Sequence, residues 1–220
     1  MDRGARARAR ASQGPGDERR LRCRLDQRPW PPIRAPATAP PPGELVEVEG
    51  ELGVRLPEEY RTFLLEVGAG GAGPDYGIFP RRPSAEGIKA RAQGVAEPFR
   101  PEEVGALFDA HQENEPARDA FASAEEFGRA YQEWDARDDE LREELFAGTL
   151  HLSSQGCGYY TVLAVTGPEA GTVWDDVRAL GEGVAPKHRA GADRLTFAQW
   201  YLDWLAFAER KAWEGPGRTA

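Results

Sequence analysis

Residues 149–176 read TLHLSSQGCGYYTVLAVTGPEAGTVWDD, and this is the only long stretch of the chain with the character of β-strands. Leu150 and Leu152 alternate with polar neighbours, as in a strand that has one covered face. Residues 159–165 are apolar almost without a break, which is typical of a central strand buried on both faces. Glycine-containing turns at 155–158 and 167–171 divide the stretch into three short strands, and we predict that the last one returns antiparallel.

Helical patterns lie on both sides of this stretch. Their ends carry the usual signals: Gly53 and Gly68 as helix terminators, Pro57 in a first turn, and capping boxes opened by Ser123 and Thr196. The last helix has the strongest amphipathic pattern in the chain. The predicted helices cover residues 44–52 and 57–67, a segment from Ser123 towards Gly148, and a segment that begins at Thr196.

The segments between these elements have weaker patterns. Residues 76–79 are predicted to form a first strand after a glycine-rich loop at 68–73. The polar segment 80–120 is expected to contact the body through a few apolar anchors, and 178–194 is expected to be a loop. The anchors are Pro98, Phe99, Val104, Leu107 and Phe108.

The first 42 residues differ from the rest in composition. They contain ten arginines against four acidic residues, a net charge of +6, whereas the remaining 18 basic and 33 acidic residues give −15. The arm has few apolar side chains and many prolines, so it cannot bury enough surface to offset the entropy of ordering. We predict a disordered basic arm at 1–42, one globular domain at 43–213 and a flexible tail at 214–220.

The location and the classes of partner follow from the same composition. No apolar run near the start is long enough for a secretory signal, and none elsewhere is long enough to span a membrane. A cytoplasmic protein is therefore predicted. The arginine-rich arm has the charge density for phosphate contacts, so any nucleic-acid binding is assigned to the arm, with a solvated tail as the alternative.

The residues of catalytic type do not form a known signature. The three histidines and two cysteines lack metal-ligand spacing, so no metal and no cofactor is expected. The glycine-rich loop at 68–73 follows a helix and precedes a strand, the reverse of the order in phosphate loops. We predict that the protein is not an enzyme. The alternative is catalysis by Cys157 with His151 as its base, or by a carboxylate pair such as Glu102–Glu103 or Asp175–Asp176.

Three motifs resemble a known family. They are LPEEYRTFL at 56–64, GTVW at 171–174 and the pattern FxxWxxxWL at 197–205. Together they are similar to the SUKH superfamily, in its Smi/Knr cell-wall assembly regulator branch, over residues 44–208. The resemblance implies an α+β domain in which helices pack on a mostly antiparallel sheet of about six strands.

The same resemblance implies a function. Members of the superfamily are largely non-enzymatic; bacterial ones are often immunity proteins that bind and block a cognate polymorphic toxin, and fungal relatives are interaction modules. We therefore expect an intracellular immunity protein, whose acidic body would attract a basic, nucleic-acid-cleaving toxin by electrostatic steering. The alternative is a regulatory scaffold of the Smi/Knr type without a toxin partner. The oligomeric state is left open.

A candidate partner-binding surface can be named at the predicted strand ends. Polar and aromatic residues there are expected to be exposed, since turns and strand ends usually lie at the surface. The candidates are Asp75, Tyr76, Tyr159, Asp175 and Asp176.

Overall fold

An antiparallel sheet forms the centre of the structure, which is a computed structural model describing residues 38–79, 92–178 and 183–214. The described part of the sheet has five strands in the order β1-β2-β3-β4-β5, so every neighbouring pair is also consecutive in sequence. The strands are β1 Ala92–Gln93, β2 Thr149–Gly156, β3 Tyr159–Ala164, β4 Val173–Asp176 and β5 Val184–Pro186.

The three strands predicted within 149–176 are present as β2, β3 and β4. The predicted α+β class is confirmed, but a count of about six strands is not: the described residues form five. Short β1 and β5 were not predicted, and β5 lies in a segment that was expected to be a loop. Both are only two or three residues long, and the register with their neighbours, not a local pattern, makes them strands.

Residues 76–79 form a strand-like edge instead of the full strand that was predicted. Ile78 makes isolated bridges to Gly71 and Ser153. The amides of Tyr76 and Phe79 donate to the carbonyls of Ser154 and Leu152, at 3.2 and 2.8 Å. This segment therefore continues the edge of β2 beyond β1, and it covers backbone groups that an edge strand would otherwise expose.

Five helices surround the described part of the sheet. Four were predicted, and their ends carry the expected signals; the fifth, over Pro101–Gln112, was not predicted, because its segment is polar and only weakly periodic. Gly53 adopts a left-handed conformation at the end of the first helix, with φ of 69°. Ser123 Oγ accepts from the amide of Glu126, and Thr196 and Gln199 form a reciprocal capping box. The helices are α1 Pro42–Leu52, α2 Glu58–Thr62 continuing as a π-helical turn over Phe63–Val67, α3 Pro101–Gln112, α4 Ala124–Glu144 and α5 Phe197–Glu214.

Apolar clusters cover both faces of the sheet. On one face, Leu163 and Val173 pack with α1, α2 and α5, where the rings of Tyr60, Phe63 and Phe197 meet edge to face or stacked. On the other face, Val162, Ala164 and Trp174 pack with Phe99, Val104, Leu145 and Phe146. β3 is thus buried on both faces, as its apolar run predicts.

Most of the expected anchors in 80–120 are correct. Phe99, Val104 and Phe108 are buried, and helix α3 carries the last two. Two anchors are wrong: Pro98 is exposed, and Leu107 is 50% exposed because it lies about 100° around α3 from Phe108, at the edge of the buried side. Leu107 therefore lies on the surface of the domain.

A buried carboxylate explains part of the motif around α2. Glu49 Oε1, on α1, accepts from the amide of Leu56 and from Arg61 Nε, both at 2.8 Å. The two donors come from the connection between α1 and α2 and from α2 itself, so one carboxylate fixes the angle between the helices. A charged group at this depth is tolerable because it is both paired and hydrogen-bonded.

Two predictions concern the ends of the chain and the membrane. The arm at 1–42 and the tail at 214–220 lie almost entirely outside the described residues, so disorder there stays a prediction. Within the described ranges, no helix is both long and apolar enough to cross a membrane. The cytoplasmic location stays a prediction.

Candidate functional site

Two of the predicted site residues, Asp75 and Tyr76, lie in a tight turn beside the β2–β3 hairpin. This Tyr76 turn, residues 74–77, is closed by the amide of Gly77, which donates to the carbonyl of Pro74 at 2.9 Å. Asp75 occupies the left-handed region with φ of 58°. Gly77 also has positive φ, and a Cβ there would lie 2.5 Å from the carbonyl oxygen of Gly71, so a side chain is excluded.

Alternation along β3 and β4 decides which residues share the turn's side of the sheet. Thr161 is on the same face as Leu163, and it lies directly opposite Asp175 on β4 and Ser153 on β2. Asp176, the next residue, points to the opposite face with Trp174. The two adjacent aspartates are therefore separated by the sheet and do not form one site.

A connected set of polar side chains lies beneath the Tyr76 turn, and we call it the Asp75 network. Asp75 Oδ2 accepts from Ser153 Oγ and from Thr161 Oγ1, both at 2.9 Å. Gln155 Nε2 donates to Thr161 Oγ1 at 3.0 Å and also to Asp175 Oδ1. Lys187 Nζ, just after β5, lies 2.7 Å from the same Asp175 oxygen. The network comprises Asp75, Ser153, Gln155, Thr161, Asp175 and Lys187.

Exposure separates the predicted residues. Tyr76 is 53% exposed, so its side chain is available to a partner. Tyr159, Asp175 and Asp176 are only 6%, 9% and 2% exposed, and their predicted exposure is wrong. Tyr159 begins a central strand, and both aspartates complete a strand that β5 covers on its outer edge, so all three are enclosed.

The Tyr76 ring rests on the backbone of the β2–β3 turn. Gly156 has φ of 85°, and a Cβ built there would lie 3.1 Å from Cε2 and 3.3 Å from the hydroxyl oxygen of Tyr76. The absence of a side chain at Gly156 thus leaves room for the ring. A ring supported from below and open above has an apolar surface and a polar tip at the same time.

On the opposite face, Asp176 belongs to a separate cluster. Arg178 donates to both of its carboxylate oxygens, at 3.1 and 2.9 Å, and His151 Nε2 lies 3.9 Å away. Burial acts to raise the pKa of the Asp176 carboxyl, but the nearby His151 imidazole and the hydrogen bonds and positive charge of Arg178 outweigh it, so the pKa lies below its ordinary value. The guanidinium of Arg178 also stacks 3.8 Å above the ring of Phe146.

The structure does not bring together the residues that were considered as alternatives for catalysis. His151 is paired with Val162, whereas Cys157 lies in the β2–β3 turn six residues later, about 20 Å along an extended strand. Glu102 and Glu103 form separate ion pairs, with Arg194 at 2.9 Å and Arg100 at 3.0 Å. Among the described residues, no group of three potential ligands could hold a metal ion.

Sequence reasoning missed four members of the Asp75 network: Ser153, Gln155, Thr161 and Lys187. The sequence could have indicated these residues because they are polar positions within apolar strands, most clearly Thr161 between Tyr160 and Val162. A fully buried hydroxyl needs a partner. The identity of that partner, 86 residues earlier in the chain, has no local signature.

Comparison with known families gives one match. The family model described as SMI1 / KNR4 family (SUKH-1) matches residues 40–185, well over half of the chain. This confirms the predicted resemblance to the SUKH superfamily, whose members are generally non-enzymatic immunity or regulatory proteins. No curated protein and no solved structure matches the chain. The resemblance over α5 lies beyond the matched residues and stays a prediction.

Proposed function

Since this chain belongs to the SMI1 / KNR4 family (SUKH-1), we propose that it is a non-enzymatic protein-binding module, and specifically an immunity protein that binds and neutralises a cognate toxin. Family membership supports the general role as an interaction or immunity-type module. The toxin partner and the place where it docks are the proposed part.

One observation supports a docking surface at the Tyr76 turn: an aromatic side chain is exposed there although its backbone is held firmly. Tyrosine is enriched at the energetic centres of protein interfaces, because its ring offers a large contact area and its hydroxyl a hydrogen bond. Of the five candidate residues, Tyr76 is the one whose side chain is open to a partner. Asp75 and Asp175 lie below it and support it, and we propose no direct contact for Tyr159 or Asp176.

Charge supports a basic partner. The residues after the arm carry a net charge of −15, and helix α4 displays many exposed carboxylates. Six of these make no ion pair among the described residues: Glu125, Glu126, Glu133, Asp135, Asp139 and Glu143. A surface of this sign speeds the encounter with a basic nucleic-acid-cleaving domain, and the effect declines with ionic strength.

The test is capture followed by rescue. The chain is purified and mixed with the toxin domain encoded beside its gene, and the toxin is also expressed in cells with and without the chain. We expect a stable complex and recovery of growth, with an association rate that falls as salt is added. If the neighbouring toxin neither binds nor is neutralised, the immunity proposal is wrong.

The basic arm supports a second candidate, a regulatory scaffold without a toxin partner. Ten arginines in the first 42 residues suit an acidic or nucleic-acid partner. Removal of residues 1–42 separates the two candidates. Loss of a salt-sensitive interaction would assign that interaction to the arm, whereas unchanged binding would assign it to the folded domain.

A further inference from the structure

The Tyr76 turn holds one residue with a side chain in the left-handed backbone region. Asp75 has φ of 58°, a region in which a residue with a side chain pays a steric cost that glycine avoids. Such a conformation persists only where surrounding contacts overdetermine it, and it is most common at functional positions.

Those contacts come from two strands of the sheet. Ser153 on β2 and Thr161 on β3 each donate to the same carboxylate oxygen of Asp75. Both hydroxyl-bearing residues are fully buried, so neither can exchange its partner for bulk water. The turn is thus fastened to the rigid centre of the domain, from residues 78 and 86 positions away in sequence.

A second layer fixes the donors themselves. Thr161 Oγ1 accepts from Gln155, which orients its hydroxyl proton towards Asp75. Gln155 in turn donates to Asp175, whose carboxylate is paired with Lys187. Each side chain from Asp75 to Lys187 is therefore joined to the next by a hydrogen bond or an ion pair, and connected polar networks of this kind favour one arrangement.

We propose that the Asp75 network positions Tyr76 as a preorganised anchor for a protein partner that has a pocket for a tyrosine ring. This rests on the proposed function. Because the Tyr76 side chain is 53% exposed and its ring rests on Gly156, the surface that encloses the ring must come from the partner. A tyrosine held in its bound orientation loses little conformational entropy on docking, which slows dissociation of the complex. Asp75, Gln155 and Thr161 are positioning residues, and Tyr76 makes the contact.

The first test removes one hydroxyl. Thr161→Val keeps the shape of the side chain but deletes the donor to Asp75 and the acceptor for Gln155. Thr149→Val is the matched control: Thr149 is also buried on the sheet, and its hydroxyl donates to the carbonyl of Phe146, away from the turn. Amide hydrogen exchange is measured residue by residue on the full chain.

We expect the amides of Tyr76, Gly77 and Phe79 to exchange about tenfold faster in Thr161→Val, since two hydrogen bonds are lost. The exchange rates are compared with the slowest amides of β3, which report global stability. A purely structural role would accelerate both sets together, whereas positioning predicts a selective effect on the turn. Thr149→Val should leave the turn unchanged relative to β3. Equal acceleration of turn and β3 in Thr161→Val would overturn the proposal.

A second test distinguishes the effect of the Asp75 carboxylate from the effect of its left-handed backbone conformation. Asp75→Gly relieves the left-handed strain but removes the acceptor, and Asp75→Asn tolerates the conformation and retains an acceptor oxygen. We expect fast exchange at the turn in Asp75→Gly and nearly unaltered exchange in Asp75→Asn. Protection that survives in Asp75→Gly would show that the network does not hold the turn. Neither test needs a partner, so a failed toxin capture and a failed positioning test remain distinct outcomes.

Discussion

The carboxylate of Asp75 accepts a hydrogen bond of 2.9 Å from the hydroxyl of Thr161, 86 residues further along the chain. This bond joins an exposed turn near the first helices to the central strand of the sheet. This hydrogen bond holds the surface that we propose for docking against the rigid core of the domain. The consequences for stability and binding can be measured separately.

The ion pair between Asp175 and Lys187 predicts a strong stability effect on the proposed site. Asp175→Ala should lower the free energy of unfolding by about 2–4 kcal/mol, because it leaves the half-enclosed Lys187 ammonium and Gln155 amide without their acceptor. The measurement is urea unfolding followed by circular dichroism.

The control for this effect is the double variant Asp175→Ala with Lys187→Met. Removing both partners leaves no uncompensated charge, so the double variant should be more stable than the sum of the single changes predicts. A single Asp175→Ala variant as stable as the unaltered chain would contradict the pairing. Loss of binding in Asp175→Ala is therefore a poor measure of contact with a partner.

The lowered pKa of Asp176 predicts a dependence of stability on pH. The ionised carboxyl is favoured in the folded state, so its stabilising contribution is complete above the ordinary pKa of 3.8 and is lost as the pH falls through the lower folded-state value. Asp176→Asn should be less stable than the unaltered chain at neutral pH, and the difference should shrink on acidification. Urea unfolding at steps between about pH 5 and pH 2 would show it. A difference that does not depend on pH would contradict the assignment.

Two glycines with positive φ predict unequal costs of substitution. A Cβ on Gly148 would lie 2.5 Å from Thr166 Oγ1 and 2.7 Å from the amide nitrogen of Phe99, whereas one on Gly53 would meet nothing within 4 Å. Gly53→Ala should cost about 1–2 kcal/mol, from the left-handed conformation alone. Gly148→Ala adds a clash with backbone and should cost more than about 3 kcal/mol. Equal losses in thermal or urea unfolding would show that the packing at Gly148 is not as tight as described.

Local signals predicted four of the five described helices and the central hairpins, whereas α3 was missed because its segment is only weakly periodic. Helix caps act within three or four residues, so they can be predicted from the sequence, as at Ser123, Thr196 and Gly53. The apolar run of β3 likewise reports burial on both faces. The two short strands, β1 and β5, were not predicted because only their pairing partners define them. For example, β5 is a strand because it pairs with β4.

Of the candidate site residues, only Tyr76 has the exposed side chain that was expected, and the contacts among them were not predicted. Asp75 and Tyr76 were named as residues near a predicted strand end, and the structure places them beside the β2–β3 hairpin. Their contact with a partner stays a prediction. The burial of Asp175 depends on Lys187, and the role of Thr161 depends on Asp75. Both contacts join segments that are distant in sequence, and a polar residue in a strand does not reveal which segment satisfies it.

The most direct test of docking at the Tyr76 turn compares two equally exposed side chains. Tyr76→Ala removes the proposed anchor, and Leu107→Ala removes an apolar side chain of similar exposure on α3, at 50% against 53%. Affinity for the toxin domain encoded beside the gene is measured by titration calorimetry, after circular dichroism has shown that both variants fold. We predict that Tyr76→Ala weakens binding at least about 30-fold, as for an interface hot spot, and that Leu107→Ala changes it by less than about threefold. Binding by Tyr76→Ala that equals binding by the unaltered chain would contradict the proposed docking surface.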